Sequence, residues 1–358
     1  MTNFTRFSGK NVFITGHTGF KGAWLAQWLI LLGAKVTGYS LAPAYDSSLF
    51  EILGLERQIN HIEADILDEE KLKKSISNAQ PDYIFHLAAQ AIVSTSYEDP
   101  ILTFETNVIG TAHILDALRS LSAPCVLVCV TSDKAYYNAE WPWGYRETDR
   151  LGGKDIYSGS KAAAELVIES FTKSFFADEP HLHRVASARA GNVIGGGDWA
   201  NNRLIPDIYR SWSLSQPVFI RCPSSTRPWQ HVLEPLSGYL SLALNLADKT
   251  DYHGHSFNFG PTGNDNYSVI AILDCLFDRY FNRGFIPYTI EDLVPFDEAR
   301  LLKLNCDKAL YCLQWKSSLT LNQSLELVSD WYIAYNTERD SLAQVTISQI
   351  SNYMKLFK

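Results

Sequence analysis

The sequence predicts an α/β protein: a doubly wound parallel sheet with a smaller, interleaved C-terminal domain. Short apolar runs alternate with longer helical patterns through the first half, as parallel strands joined by helical crossovers do. A glycine-rich turn follows the first of those runs. After Gly191 the alternation loosens into short pieces rich in glycine and proline.

Each element follows from its own pattern. Residues 11–15 are the first predicted strand and 20–32 the helix after it. The runs 35–39, 61–65, 83–87, 125–131 and 185–191 supply further strands, while 69–77, 101–121 and 157–175 carry apolar residues at helical spacing. Beyond them Gly195, Gly196, Gly197, Pro206, Pro223, Pro228 and Pro235 break the chain into short segments. Residues 321–332 form an amphipathic helix, and the tail after Asn336 carries no signal. The expected division is a nucleotide-binding domain over 1–185, with a returning segment near 229–258, and a substrate-binding domain over 186–358.

Composition narrows the function. A chain of 358 residues with 46% hydrophobic content can bury a sizeable core. Its net charge of -8 argues against a nucleic-acid binder, although a few local arginines suffice for a pyrophosphate. The six cysteines form no CxxC pair or zinc spacing and are expected as reduced thiols in or near cores. The pairs His181/His183 and His253/His255 are too sparse for a metal, so none is expected. Met1 to Lys10 is polar and the apolar stretch after it stops at Gly16, which predicts no secretory signal. The apolar run 23–32 is too short to span a bilayer, so the expected location is the cytoplasm, without membrane attachment.

The turn after the first strand reads Gly16-His17-Thr18-Gly19-Phe20-Lys21-Gly22. Glycines let the backbone approach a pyrophosphate, and the following helix N-terminus offers free amides to it. Gly22 would let the helix pack closely against the strand. The turn therefore makes the sheet a Rossmann-type one. No carboxylate ends the second strand, where Tyr39-Ser40-Leu41 stands, and no arginine waits there for a 2′-phosphate. These residues leave NAD and NADP both open.

Tyr157 and Lys161 are four apart on a predicted helix, hence on one face. An ammonium beside a phenol favours phenolate, a usable base for an alcohol proton. Ser132, at the end of the fifth predicted strand, could hydrogen-bond the same hydroxyl. Asp133 and Lys134 add an acid and a candidate base, which simple redox chemistry does not need and elimination of water does. Trp141, Trp143 and Tyr145 either wall the substrate pocket or pack under their own loop.

The G-x-x-G-x-x-G spacing resembles extended short-chain dehydrogenases/reductases. The blocks GHTGFKGAWL, VTSDKAYYN, EWPWGYRE, LGGKDIYSGSKAAAE, SARAGNVIGGGDWA, NRLIPD and RPWQHVLEPLSGYL resemble the CDP-glucose 4,6-dehydratases within that group, over about residues 7 to 335. The resemblance implies NAD as cofactor, held by Gly16, Thr18, Gly19, Phe20, Lys21 and Gly22, by Asp65 and Ile66 at the adenine, by Leu87, Ala88 and Ala89 alongside, and by Tyr157 and Lys161. It implies oxidation at C4 through Tyr157, proton donation by Asp133 to the departing C6 hydroxyl, and return of the hydride to C6. Lys134 stands where other dehydratases carry glutamate; it is either the C5 base or a cation that steadies an enolate. Substrate contacts are implied for Ser132, Asn192, Arg203, Arg227 and Arg300. The resemblance further implies a homodimer or dimer of dimers, built on helices 101–121 and 157–175, and a place in deoxysugar supply for surface polysaccharides such as O-antigen. A sugar-nucleotide 4-epimerase, or a dehydratase of another nucleotide sugar, is the rival reading.

Overall fold

A computed structural model describes residues 3–178, 182–220, 222–261, 267–280, 288–290 and 301–357. Seven strands form the main sheet: β1 (Asn11–Thr15), β2 (Lys35–Ser40), β3 (Asn60–Glu63), β4 (Tyr83–His86), β5 (Cys125–Val130), β6 (His183–Ala190) and β7 (Ser256–Phe259). Their order is β7-β6-β5-β4-β1-β2-β3, and every neighbouring pair is parallel. The chain winds outward from β1 through β3, then returns to β4 on the other side of β1. At such a reversal the crossovers diverge and leave a crevice beyond the carboxyl ends of the strands.

The main helices are α1 (Phe20–Leu31), α2 (Glu69–Ala79), α3 (Gly110–Arg119), α4 (Ile156–Phe171), α5 (Leu204–Ser213), α6 (Leu233–Asp248), α7 (Leu321–Thr337) and α8 (Leu342–Met354). Successive strand residues point to opposite faces, and β1 divides its side chains accordingly. Val12 and Ile14 join Trp28, Leu240 and Trp331 in the core on one face. Phe13 joins Leu72, Ile114, Leu118 and Ile168 on the other. Helix α6 packs on β5 and β6 and is buried nearly all round, as its near-continuous apolar sequence requires.

Departures from the expected elements have physical causes. The predicted third strand, 61–65, ends at Glu63, because Asp65 Oδ1 accepts Leu67 N at 2.9 Å and turns the chain. The predicted helix 101–121 starts at Pro100 under an Asp99 cap and contains a π-helical turn, Glu105–Ile109, before α3. The tail after Asn336 folds as α8. Its buried stripe includes Thr346 and Gln349, which hid the apolar period; each is tied to α7, Thr346 Oγ1 accepting from Trp331 Nε1 at 3.0 Å and Gln349 Nε2 donating to Leu327 O at 2.8 Å.

Candidate active site

Beyond the carboxyl ends of β1 and β4 opens a cleft of about 1200 Å³, lined by every described residue expected to hold the cofactor, contact the substrate or act in catalysis. Arg300 lies outside the described residues, as does His181. At the near end, Gly16 has φ +75°, and a Cβ there would come within 2.7 Å of Ala88 N. Gly22 is needed for a reason slightly different from the expected one: its Cβ would lie 2.1 Å from Gly16 O, so it makes room for the turn itself rather than for the strand. Gly19 caps α1. The Thr18 hydroxyl shares a 2.7 Å bond with Ser40 and donates to Leu41 O at 2.9 Å, which ties the turn to the end of β2. This backbone cradle at a helix N-terminus fits a dinucleotide pyrophosphate.

A relay the sequence did not reveal fixes the far wall of that cradle. Thr15 Oγ1 accepts Leu87 N and Ala88 N, both at 3.2 Å, so its own proton goes to His86 Nδ1 at 2.7 Å. His86 Nε2 then donates to Thr111 Oγ1 at 3.2 Å, and Thr111 donates to Asn107 O at 2.7 Å. Burial pulls His86 down to about 3, which keeps the imidazole neutral for this role. Asn107, inside the π turn, also accepts Gln90 N at 2.9 Å and donates to Ser160 Oγ at 2.8 Å. Its signal was present: an amide buried within an apolar helix must find partners.

The chemical groups stand at the end of β5 and the start of α4. Ser132 caps the short 3₁₀ turn Asp133–Ala135, accepting Lys134 N at 3.2 Å and donating to Asp133 Oδ1 at 3.1 Å. Asp155 caps α4, accepting Ser158 N at 2.9 Å, and so sets where Tyr157 enters the cleft. The Tyr157 ring has Lys161 Nζ and Lys134 Nζ each 5.9 Å from its centroid. Burial pushes Tyr157 up to about 12, against the pull of its Ser132 hydrogen bond. Burial, and next Lys21, pulls Lys161 down to about 8, while Glu165 opposes that change. Lys21 is likewise drawn down to about 8, by burial and then by Arg203. Burial raises Asp133 despite Lys134 beside it, and its Oδ2 has no hydrogen-bond partner among the described residues. A carboxyl so placed tends to hold its proton, and can give it to a ligand group in the cleft.

On the opposite wall Arg203 donates to Asp198 Oδ2 at 2.9 Å, and Arg227 lies on a short strand paired with Tyr267–Ser268. Asn192 O accepts Gln230 N at 3.1 Å, which joins the segment after β6 to the one carrying Arg227. Trp141, Trp143 and Tyr145 stack beside Tyr136 and Leu304 and do not line the cleft, so the packing alternative holds for them. No group of three or more metal-ligating side chains occurs among the described residues.

A glycine cradle at the switch point of a parallel sheet, with serine, tyrosine and lysine facing it, defines a dinucleotide-dependent enzyme of the short-chain dehydrogenase/reductase class. The sequence model for GDP-mannose 4,6 dehydratase matches residues 13–206. The CDP-glucose 4,6-dehydratase of Salmonella typhimurium is 45% identical over 351 residues, covering 97% of each chain. The chain belongs to this family of nucleotide-sugar 4,6-dehydratases. More distant is the CDP-paratose 2-epimerase of Salmonella typhi, 24% identical over 89% of this chain and 98% of its own. Among solved structures, the dTDP-glucose 4,6-dehydratase of Bacillus anthracis, in complex with NAD, superposes with a TM-score of 0.77 at 20% identity, covering 94% of this chain and 100% of its own.

Proposed function

We propose that the protein is a lyase that converts CDP-D-glucose to CDP-4-keto-6-deoxy-D-glucose and water, with NAD as cofactor. The near-full-length similarity to a CDP-glucose 4,6-dehydratase supports the substrate. The observation that carries the chemistry is Asp133: a buried carboxyl with one oxygen unpartnered among the described residues, adjoining Ser132 on the cleft wall. An epimerase has no use for such an acid.

Bound NAD supplies the hydride acceptor at C4 and the hydride donor at C6. Gly16, Thr18, Gly19, Phe20, Lys21 and Gly22 hold its pyrophosphate side, Asp65 and Ile66 the adenine, and Leu87 to Ala89 the flank. Ser132 orients the C4 hydroxyl and Tyr157 takes its proton, with Lys161 stabilising the phenolate. The resulting ketone acidifies the C5 proton, and Asp133 protonates the leaving C6 hydroxyl. Lys134 serves C5: as an amine it takes the proton, as the ammonium so formed it steadies the enolate, and it gives the proton back to C5 when hydride reaches C6. Arg203, Arg227 and Asn192 hold the diphosphosugar. Residues 1–185, with a returning segment near 229–258, serve the cofactor, and the remainder serves the substrate.

The product feeds deoxysugar synthesis for surface polysaccharides, O-antigen among them, in the cytoplasm. No helix among the described residues is long and apolar enough to cross a membrane. A homodimer is supported by the exposed apolar residues Ile101, Leu102, Ile109, Leu166 and Phe175 on neighbouring helices. Incubation with CDP-, dTDP-, UDP- and GDP-hexoses, followed by mass spectrometry, tests the reaction. Loss of water from CDP-glucose is expected; isomerisation without mass change would establish the epimerase instead.

A further inference from the structure

Behind the reacting groups lies a second buried carboxylate that the proposed chemistry does not use. Glu165 is two turns beyond Tyr157 and one beyond Lys161 on α4, hence on their face of the helix. Arg189, the last residue but one of β6, grips it with two bonds, from Nε to Oε1 at 2.9 Å and from Nη2 to Oε2 at 2.8 Å. Thr131, the residue before Ser132, donates its hydroxyl to Oε1, and Ser187 donates to Oε2 at 2.8 Å. Both charged side chains are 3% exposed. Arg189 donates further to Tyr136 Oη at 2.8 Å and to Glu147 O at 3.1 Å, so the network also reaches the segment that follows Asp133.

We propose that Glu165 is a positioning residue for the oxidation step: its carboxylate ties the strand end bearing Ser132 to the helix bearing Tyr157, and stands as the counter-charge to Lys161. Thr131 cannot move without pulling Glu165, and Glu165 cannot move without breaking from Arg189. The distance from Ser132 to Tyr157 is therefore set from behind. The titratable groups facing Lys161 are Tyr157 and Glu165 on its own helix, Lys21 from α1, His86 from β4, and Lys134 across the Tyr157 ring. Of these Glu165 is the anion, held below the usual carboxylate range by Arg189 and by the Thr131 and Ser187 hydroxyls in spite of its burial. The cleft would otherwise press lysines together with no opposing charge on this side.

The inference rests on the role proposed above for Tyr157 and Lys161, and its first test does not depend on substrate. In cofactor-free protein, the pH dependence of Lys161 acetylation by acetic anhydride, read on the proteolytic peptide by mass spectrometry, reports how much of the amine is neutral. Glu165→Gln, which leaves Arg189 unbalanced, is expected to move that midpoint down by about one pH unit. Glu165→Asp, which keeps the charge, leaves it in place, and adding Arg189→Met to Glu165→Gln brings it back up. An unmoved midpoint in folded Glu165→Gln overturns the counter-charge. The second test is Thr131→Val, which removes the clamp and keeps both charges. Single-turnover oxidation of CDP-glucose should slow about tenfold with KM little changed, since misplacement affects the reacting geometry more than binding. Wild-type oxidation in Thr131→Val overturns the clamp. Should Glu165→Gln fail to fold, Thr131→Val and Glu165→Asp decide alone: the proposal stands if both slow oxidation and falls if neither does. Failure of every sugar nucleotide to react would sink the function proposed above while leaving the Lys161 titration intact.

Discussion

Two carboxylates are buried within reach of the same strand end, and they face opposite fates. Asp133 lies on the cleft side of Ser132 with one oxygen unpartnered among the described residues, and burial raises its carboxyl. Glu165 lies on the core side of Thr131, surrounded by an arginine and the hydroxyls of Thr131, Ser187 and Ser256, and is held low. Depth does not separate them, since Asp133 is 4% exposed and Glu165 3%. The number of donors does: a carboxylate given enough hydrogen bonds becomes a permanent anion, and one denied them becomes a proton carrier.

The comparison can be broken most severely at Asp133. Asp133→Asn removes the proton but keeps the shape, and dehydration is expected to fall by about 10²–10⁴-fold, the range for a general acid. C4 oxidation should continue, so reduced nicotinamide should build up on the enzyme and be visible by its absorbance. Product at the wild-type rate would show that Asp133 is not the acid.

Stability should respond with opposite signs at the two carboxylates. Glu165→Gln leaves Arg189 buried without its partner and is expected to cost about 3–5 kcal/mol in chemical denaturation. Asp133→Asn removes the cost of ionising a buried carboxyl and should gain about 1 kcal/mol once the pH has risen through its folded pKa. The pH dependence sharpens this. Asp133 is raised above its ordinary 3.8, so its contribution is fully present below that value and is lost as pH rises through the folded pKa. Glu165 is lowered below its ordinary 4.5, so its contribution is present above that value and is lost as pH falls. Denaturation profiles of the two variants against wild type should therefore converge toward acid pH and diverge toward neutral. Parallel profiles would refute the assignment of opposite protonation states.

A smaller effect is expected across the cleft. Arg227→Ala should weaken substrate binding by about 1.5–3 kcal/mol, the range for hydrogen bonds to charged groups, with NAD affinity little changed. Isothermal titration with each ligand separates the two, and a loss confined to NAD would move Arg227 to the cofactor side.

Much of this arrangement was legible in the sequence, and the remainder was hidden for a definable reason. Strand starts at Asn11, Lys35, Tyr83 and Cys125 were found because each parallel strand is a short apolar run set between helical patterns. Tyr157, Lys161 and Ser132 could be grouped because one helical turn and one strand end place them locally. Glu165 could not be read that way. Its partners Thr131 and Arg189 are 34 and 24 residues distant, and only the pairing of β5 with β6 brings them to one spot. An arginine near the end of the largely buried β6 was the available clue, because a buried charge requires an opposite one. The aromatic loop was undecidable from sequence for the same reason: Leu304, on which Tyr145 leans, is remote in the chain.

The π turn at Glu105–Ile109 has a consequence for how this helix can change length. Each residue of an α-helix advances the side chains by about 100°. The wider turn accommodates one extra residue and so slips the phase of the helix on one side of it against the helix on the other. Before it, Ile101 is 68% exposed; after it, Ile114, Leu115 and Leu118 are wholly buried. Deleting a single residue here would restore an ordinary helix and rotate one half against the other, carrying core leucines into water or taking Asn107 from Gln90 and Ser160. Homologous chains should therefore gain or lose residues in the loops on either side of this segment, and keep its own count unchanged.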